Sequence, residues 1–390
     1  MMKCRKSLAL LTALSLLAGC ASGGAASPAI SAASEEAGGI PAEPHVPVYT
    51  YENPDPDMVL VQSEDGDITY KDYRLYLDVN EELARYSARQ SLALAEAVER
   101  DLRKNFGIEI NEEEFEQMAA QETAMAYLYS PAVFENFPLV GELSGLSEEE
   151  MNGALTMSFR QQYLINLLGT HFQKEAEQDF PAAELHAAVD SGAEDGKAET
   201  TAEQERQQKI FEAASQRMSE YSQEYEQRLE LDNGDGDLLG TFDGEEILLT
   251  DEGNRFVEYM AASSRAATAD LIREGEMTLR ALTALQGEPD RTEFEETLAQ
   301  YREQIVGQEL LYSELTRICG KFGVTVDDYL LLLERPLWLQ YVGDLYYHAL
   351  YEEYNALAED DESRIATFDE YFSVRLEKAL EGSELVNVGG

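Results

Sequence analysis

The sequence has little cysteine and little positive charge. Its 390 residues include three cysteines, too few for a framework of disulfide bonds. Lys and Arg together number 29 against 77 Asp and Glu, which gives a formal net charge of −48 at pH 7. Because phosphate binding depends on clustered basic side chains, this composition argues against a nucleic-acid partner. It fits either a basic partner or simple solubility through charge repulsion.

Long apolar runs are also missing after residue 20. No later stretch reaches the roughly 18 uninterrupted apolar residues that predict a transmembrane helix. The hydrophobic fraction of 44% is nevertheless sufficient for apolar cores, and the length predicts two or three domains. The four histidines are scattered, and neither a His-Glu-x-x-His nor a Cys-x-x-Cys spacing occurs, so we expect no zinc site.

The first twenty residues have the pattern of a secretory signal. Lys3, Arg5 and Lys6 precede an apolar run of about ten residues, which is too short to cross a bilayer of about 30 Å. The sequence Leu17-Ala18-Gly19-Cys20 resembles the lipobox of bacterial lipoproteins. The resemblance implies a signal peptide over 1–19, lipidation of Cys20 and an extracytoplasmic protein anchored to the cell membrane.

The segment after this signal is poor in large apolar side chains. Residues 20–56 consist mostly of Ala, Gly, Ser, Pro and Glu. Such a composition cannot bury a core, so we expect a flexible tether between the lipid and the folded part of the chain.

One order of motifs occurs twice along the chain. The dipeptide Asp65-Gly66 lies between short apolar runs and predicts a hairpin, and Asp243-Gly244 lies in the same context 178 positions later. Two capping pairs keep that spacing, Ser147 with Glu150 and Thr325 with Asp328, and each predicts the start of a helix. We therefore interpret the chain as two copies of one module.

The helices that follow those caps carry matching apolar stripes. In each copy large apolar residues recur every four positions, the pattern of a helix face buried against other helices. These residues are Met151, Leu155, Phe159, Tyr163 and Leu167 in the first copy, and Tyr329, Leu333, Leu337, Tyr341 and Leu345 in the second.

The expected fold is mainly α, with two tandem helical modules that each open with a short β-hairpin. The boundaries are 57–180 for the first module, 181–235 for a linker and a polar helix, and 236–390 for the second module. In the first module we expect helices near 70–86, 87–105, 112–128 and 148–177, the first of them capped by Thr69. At the end of the chain, 384–388 has the alternation of a strand that returns to a hairpin.

The order of the motifs resembles a known family. The Asp65-Gly66 hairpin, the helix after Thr69, the Asn105-Phe106-Gly107 helix end and the Ser147 cap resemble the N-terminal chaperone domain of SurA/PrsA-type foldases. They are similar, more distantly, to the peptide-binding part of trigger factor. The resemblance covers about 57–180 and, less clearly, 237–388. It implies a helical cradle for unfolded polypeptides outside the cytoplasm.

The chain departs from this family at the place of its catalytic domain. Foldases of this kind usually contain an inserted parvulin isomerase domain, whereas the corresponding segments here, 180–201 and 355–363, are too short to hold one. A glycine-rich parvulin segment and paired histidines are also lacking. We therefore expect no enzymatic activity, and peptidyl-prolyl isomerase activity stays an alternative.

A calcium loop is the best metal candidate among the many carboxylates. Asp235, Asp237, Asp243 and Glu246 have a spacing similar to that of an EF-hand, but Leu239 stands where a ligand is needed. The second hairpin accounts for the same residues without calcium. We expect neither a metal nor another cofactor.

Aromatic side chains are the candidates for peptide binding. They recur at helical spacing and combine a large apolar surface with a polar tip, which suits a groove for varied segments. The candidates are Tyr73, Tyr76, Phe159, Tyr163, Trp338, Tyr341, Tyr347 and Tyr351. The alternative for each of them is a place in the core with its polar tip at the rim.

These observations predict a membrane-anchored, extracytoplasmic protein similar to a chaperone or foldase. Its partners would be unfolded or nascent secreted proteins, bound in apolar helical grooves without catalysis. The alternatives are a structural or adaptor lipoprotein of the cell envelope with one dedicated protein partner, and a peptidyl-prolyl isomerase.

Overall fold

The computed structural model describes residues 51–129, 132–181, 196–232, 234–357 and 367–389. This part of the chain is mainly helical and contains two small antiparallel sheets. The predicted signal peptide over 1–19, the predicted lipidation site Cys20 and most of the predicted tether lie outside the described residues. None of the described helices combines the length and the apolar character that a membrane crossing requires.

The helices and strands alternate in long blocks. The helices are α1 (Arg74–Lys104), α2 (Glu112–Tyr129), α3 (Ala132–Glu135), α4 (Phe137–Ser144), α5 (Glu148–Ser158), α6 (Arg160–Asp179), α7 (Gly196–Arg228), α8 (Asp251–Gln286), α9 (Thr292–Gly307), α10 (Glu309–Lys321), α11 (Val326–Leu332), α12 (Glu334–Ala356) and α13 (Phe368–Leu380). The strands are β1 (Val59–Ser63), β2 (Ile68–Thr69), β3 (Leu229–Leu231), β4 (Leu238–Phe242), β5 (Glu245–Leu248) and β6 (Ser383–Leu385).

The described residues form two compact units, each made of segments that are distant in sequence. Unit 1 comprises 51–85, Glu142–Ser144 and the described residues after 260. Unit 2 comprises 86–141 and, from Gly145 on, the described residues up to Met260.

This division differs from the boundaries drawn on the sequence. The first hairpin belongs to unit 1 together with helices α9 to α13, whereas the second hairpin belongs to unit 2 together with helices α2, α3, α5, α6 and α7. The tandem boundaries at 57–180 and 236–390 had placed each hairpin with the helices that follow it in sequence.

Each unit contains a three-stranded sheet of the same construction. The strand order is β2-β1-β6 in unit 1 and β3-β4-β5 in unit 2, so a hairpin pairs with one additional short strand in both. The added strand runs antiparallel to the first strand of the hairpin in both sheets: Val61 lies opposite Leu385 and Ser63 opposite Ser383, while Gly240 lies opposite Leu231 and Phe242 opposite Leu229. Both predicted hairpins are confirmed, and β6 is the strand that was expected near 384–388.

The turn of the second hairpin shows why its Asp-Gly sequence is a reliable signal. Asp243 and Gly244 both have positive φ, 52° and 77°. Asp tolerates this region through local hydrogen bonding and Gly enters it without steric cost, so the pair permits a tight connection between antiparallel strands.

The two predicted capping boxes are present. The Ser147 hydroxyl accepts from the backbone N–H of Glu150, and the Glu150 carboxylate accepts from the backbone N–H of Ser147. Thr325 and Asp328 exchange the same two hydrogen bonds at the start of α11. These reciprocal bonds satisfy backbone donors that a helix start otherwise leaves open.

Other helix predictions were wrong in detail. The helices expected at 70–86 and 87–105 are one continuous helix, α1, and Thr69 makes no side-chain capping bond. The helix expected at 148–177 is interrupted at Phe159. In the second copy the interruption lies at Leu333, where Pro336 has no N–H to donate to the Leu332 carbonyl and so favours a break.

Each unit has its own hydrophobic core. In unit 2 the core joins α1, α2, α6 and α7 to the second hairpin, through residues that include Leu102, Phe115, Leu164, Phe172 and Phe242. In unit 1 a cluster joins α8, α9, α12 and α13, through residues that include Leu282, Phe294, Trp338, Leu350 and Tyr371. Cys319 is fully buried in unit 1.

Candidate functional site

Four of the eight aromatic residues predicted to bind peptides lie in the interior. Tyr73, Tyr76, Tyr163 and Trp338 each expose 4% or less of their surface. In this conformation a bound polypeptide cannot contact these side chains. They have the core position that was the alternative to peptide binding.

Tyr73 belongs to a buried polar group in unit 1. Its hydroxyl donates to the carboxylate of Glu276, and Arg335 donates to the same carboxylate at 3.0 Å and 2.5 Å. Burial, together with the Glu276 charge, raises the pKa of Tyr73 above its ordinary value. The three side chains satisfy one another, so the group is explained as a structural element.

Tyr163 and Trp338 each pack on a phenylalanine of their own unit. The Tyr163 ring packs on Phe115 with centroids 5.4 Å apart, and its hydroxyl donates to the Asn111 carbonyl at 3.1 Å. Trp338 packs on Phe294 at 5.1 Å. Both rings hold helices of their unit together.

Phe159 and Tyr341 lie at the edges of the cores. Phe159 is partly buried at the break between α5 and α6. Tyr341 is also partly buried; its ring stacks on Trp338 at 5.9 Å, and its hydroxyl donates to Glu293 at 3.0 Å. Tyr341 has the position that the core alternative predicted, with its hydroxyl at the rim, whereas Phe159 has no polar tip.

Tyr347 and Tyr351 are the two candidates that solvent reaches, with 37% and 48% of their surfaces exposed. They lie one turn apart on α12 and face Phe368 and Phe372, one turn apart on α13. Tyr347 stands edge-on to Phe368 at 5.0 Å and to Phe372 at 5.2 Å, and Tyr351 stands edge-on to Phe368 at 5.1 Å. We call these four side chains the aromatic surface.

The aromatic surface rests on a rigid support. Phe368 and Phe372 pack against the core cluster that contains Tyr346, Leu350 and Tyr371. An ion pair of 3.1 Å between Arg375 and Glu353 joins the two helices. A preorganised surface of this kind loses little conformational entropy when it binds a ligand.

The geometry favours contact with an extended polypeptide over capture of a small molecule. The rings form an exposed face between two helices. Further along α13 there is a shallow depression lined by Val374, Glu377, Lys378, Leu380 and Glu381. Because all five lie on one helix or directly after its last residue, this depression does not enclose a ligand as a small-molecule pocket does.

Unit 2 has an exposed apolar patch of its own. Met125, Tyr127 and Leu128, near the end of α2, expose 41%, 62% and 71% of their surfaces. The Tyr127 ring contacts Phe134 at 5.1 Å, which contacts Phe137 at 5.2 Å. We call Met125, Tyr127 and Leu128 the Tyr127 patch; apolar patches of this kind mark interaction surfaces in many proteins.

The candidates for metal binding and for nucleophilic chemistry have structural roles in the fold. Among the described residues, no three His, Cys, Asp or Glu side chains come together as a metal site. Asp243, from the calcium-like spacing, accepts two bonds from Arg228 at 2.7 Å and 2.9 Å. Burial raises the pKa of Cys319 to about 12, so its thiol is a poor nucleophile.

Sequence reasoning missed three parts of the exposed surfaces. Phe368 and Phe372 were not among the predicted candidates, although their spacing of four matches that of Tyr347 and Tyr351. The Tyr127 patch was missed entirely. Its signal was present in the apolar run from Ala124 to Leu128, which leaves the end of α2 without a polar face.

Comparison with known proteins adds no relative. No protein-family model, no curated protein and no solved structure matches this chain. The assignment of a function therefore depends on the residues and the geometry described above.

Proposed function

We propose that this chain is a membrane-anchored, extracytoplasmic chaperone-like protein that binds unfolded exported polypeptides without catalysis. The proposal combines the lipobox-like Leu17–Cys20 sequence, the resemblance to the SurA/PrsA chaperone domain and the exposed apolar surfaces of the two units. In it, the two tandem modules expected from the sequence correspond to two copies of that chaperone domain.

The observation that carries the proposal is the aromatic surface. Tyr347 and Tyr351 are exposed, yet they are held in place by Phe368 and Phe372. Rigid aromatic rings provide contact area to many different sequences, because every apolar side chain can pack against them. Sequence-tolerant contacts of this kind suit weak and repeated binding of unfolded chains.

The charge of the protein supports the same function. A formal net charge of −48 keeps the protein, and any complex it forms with an aggregation-prone chain, soluble through repulsion between molecules. A holding chaperone needs this property, because its bound clients expose apolar surface.

The direct test is suppression of aggregation by the chain from Ala21 onward, which lacks the lipidated cysteine. We expect a several-fold molar excess to slow the aggregation of heat-unfolded citrate synthase, followed by light scattering. The double variant Tyr347→Ala/Tyr351→Ala is expected to lose much of this effect while keeping its circular dichroism spectrum. Phe211→Ala, at an isolated ring that is 72% exposed on α7, is the matched control and should act like the unchanged protein.

Three outcomes would contradict the proposal. Aggregation that proceeds unchanged at every excess would exclude a holding function. A pull-down that recovers one stoichiometric partner, in a protein that ignores unfolded chains, would favour the adaptor lipoprotein. Faster cis–trans exchange of a proline-containing peptide would show isomerase activity and would overturn the absence of catalysis.

A further inference from the structure

The Tyr127 patch lies at the end of a row of aromatic rings. Tyr127 contacts Phe134 with ring centroids 5.1 Å apart, Phe134 contacts Phe137 at 5.2 Å, and Phe137 stands edge-on to Tyr259 at 6.3 Å. Tyr259 exposes 3% of its surface, so the row leads from solvent into the interior of unit 2. The exposed ring of Tyr127 is therefore supported from behind by other rings.

The surroundings of the patch carry little charge. Asp, Glu, Lys and Arg make up 27% of the chain, whereas residues 123–141 contain Glu135 as their only charged side chain. No charged residue lies three or four positions from Tyr127 or from Leu128 in either direction, and Glu122 borders the patch on α2. In a chain with a formal net charge of −48, a negatively charged surface repels this face less than it repels the chain as a whole.

The side chains of the patch are of the types that suit the surface of a bilayer. A Tyr side chain combines an apolar ring with a polar hydroxyl, as the boundary between lipid headgroups and acyl chains requires, while Met and Leu suit the apolar side of that boundary. None of the described helices is long and apolar enough to cross a membrane. Contact through this patch would therefore be peripheral, with side chains that enter only the outer part of the bilayer.

The predicted lipid anchor on Cys20 favours the bilayer over other partners of the patch. An anchored chain stays next to the membrane, so the effective concentration of lipid is high and even weak contacts are populated. A second copy of the chain is disfavoured, because each copy carries a formal net charge of −48. An unfolded client meets the patch only in passing, whereas the bilayer is always within reach of an anchored protein.

We infer that the Tyr127 patch lies on the phospholipid bilayer, with Met125, Tyr127 and Leu128 in the boundary between headgroups and acyl chains. The patch gives the protein a second contact with the membrane besides the lipid on Cys20, and it turns this face of unit 2 toward the bilayer. The inference rests on the membrane anchoring in the proposed function and names lipid as the ligand of this patch.

The test is quenching of tryptophan fluorescence by brominated phosphatidylcholine. The chain from Ala21 onward carries an N-terminal hexahistidine tag and is held on vesicles by a nickel-chelating lipid, which replaces the predicted anchor. Tyr127→Trp should lose roughly a third of its emission on brominated vesicles, since an interfacial face lies about 5–10 Å inside the boundary. Trp338 is the only tryptophan of the chain and exposes 3% of its surface, so the unchanged protein should lose none.

A matched variant separates contact by the patch from general closeness to the vesicle. Phe211 is an isolated ring of the same unit with 72% of its surface exposed, and Phe211→Trp should show no quenching. When the vesicles also contain phosphatidylglycerol, the quenching of Tyr127→Trp should increase as salt is added. Salt screens the repulsion between the acidic chain and the anionic lipid, so this trend is opposite to that of a polybasic membrane contact.

The outcomes identify what covers the patch. Absence of quenching, or equal quenching of Tyr127→Trp and Phe211→Trp, would overturn the inference. In that case, dimerisation in sedimentation that Tyr127→Ser/Leu128→Ser abolishes would identify a second copy as the partner, and weaker suppression of aggregation by this double variant would identify the clients. Absence of quenching with normal suppression of aggregation overturns this inference alone. Quenching without any suppression supports the membrane contact and overturns the holding function.

Discussion

The Tyr70 hydroxyl donates a hydrogen bond of 2.6 Å to the backbone carbonyl of Asn387, a residue 317 positions later in the sequence. Two further bonds hold the same tail: the Asn387 side chain donates to the Val59 carbonyl at 3.1 Å, and Arg265 donates to the Val388 carbonyl at 2.6 Å. Unit 1 is therefore closed by side chains that bind the end of the chain, next to the strand pair of β1 and β6.

Removing the Tyr70 hydroxyl should weaken unit 1. Tyr70 is fully buried, so Tyr70→Phe keeps the ring packed and leaves the Asn387 carbonyl without this donor. We expect a loss of about 1–2 kcal/mol in the free energy of unfolding, measured by denaturant titration. Tyr127→Phe, at a largely exposed ring, is the control and should change the free energy of unfolding little. An unchanged midpoint for Tyr70→Phe would show that this bond does not hold the tail.

The two capping boxes should contribute equally, because their geometry is the same. Ser147→Ala and Thr325→Ala each remove the side-chain acceptor for one backbone N–H and leave one side of the box open. We expect each to lower the free energy of unfolding by about 1 kcal/mol. Ser373→Ala is the matched control, because the Ser373 hydroxyl lies inside α13 and donates to the Asp369 carbonyl, a bond the helix does not need.

The sequence predicts the features that depend on neighbouring residues. Asp-Gly turns, Ser and Thr caps and four-residue apolar stripes act over one or two turns. Both hairpins and both capping boxes lie where these signals place them, whereas Thr69 makes no capping bond. The break of the second copy at Leu333 was also encoded locally, by Pro336, although its position was not recognised.

The sequence could not indicate which hairpin completes which unit. Both copies carry the same apolar pattern, so the hairpin at Gly66 satisfies the pairing rules of either added strand, β3 or β6. Only long-range packing decides that β1 pairs with β6, whereas β4 pairs with β3 across a short connection. Pairing that depends on residues hundreds of positions apart has no local signal.

The same reason explains why only part of the candidate site could be predicted. Tyr73 and Tyr76 look like Tyr347 and Tyr351 in the sequence, since all four lie at helical spacing among polar residues. Tyr73 is covered by Glu276 and Arg335, which come from distant helices, whereas solvent reaches Tyr347 and Tyr351. Exposure is a property of the packed units and is not encoded in the spacing of the rings.

Acid should weaken the Arg160 bridge in unit 2. Arg160 donates to both oxygens of Glu112 at 2.6 Å and 2.9 Å, and this bonding lowers the pKa of Glu112 below its ordinary value. A lowered pKa in the folded state means that the bridge stabilises the fold above the ordinary glutamate pKa of about 4.3. This stabilisation is lost as the pH falls through the lower, folded-state pKa of Glu112.

The comparison of Glu112→Gln with the unchanged protein isolates this effect. At pH 7 the variant should be the less stable of the two, and the difference should shrink as the pH is lowered from about 5 to 3. Denaturant titrations at several pH values measure it. Glu116→Gln, at an exposed position on the same helix and with no arginine bonded to it among the described residues, is the control and should change the free energy of unfolding little at pH 7. A constant difference for Glu112→Gln would contradict the assignment.

Cys319 should be unreactive as long as unit 1 is folded. Its side chain is fully buried, and burial raises its pKa to about 12, so the thiolate, which is the reactive form, is scarce at pH 8. In the chain from Ala21 onward Cys319 is the only cysteine. We expect no reaction with a disulfide reagent over hours in native buffer and complete reaction in guanidinium chloride. Because reaction then requires unfolding, its rate in intermediate denaturant should increase in Tyr70→Phe, since the two residues belong to the same unit. Rapid stoichiometric labelling of the native protein would show that the thiol is accessible and would overturn its place in the core.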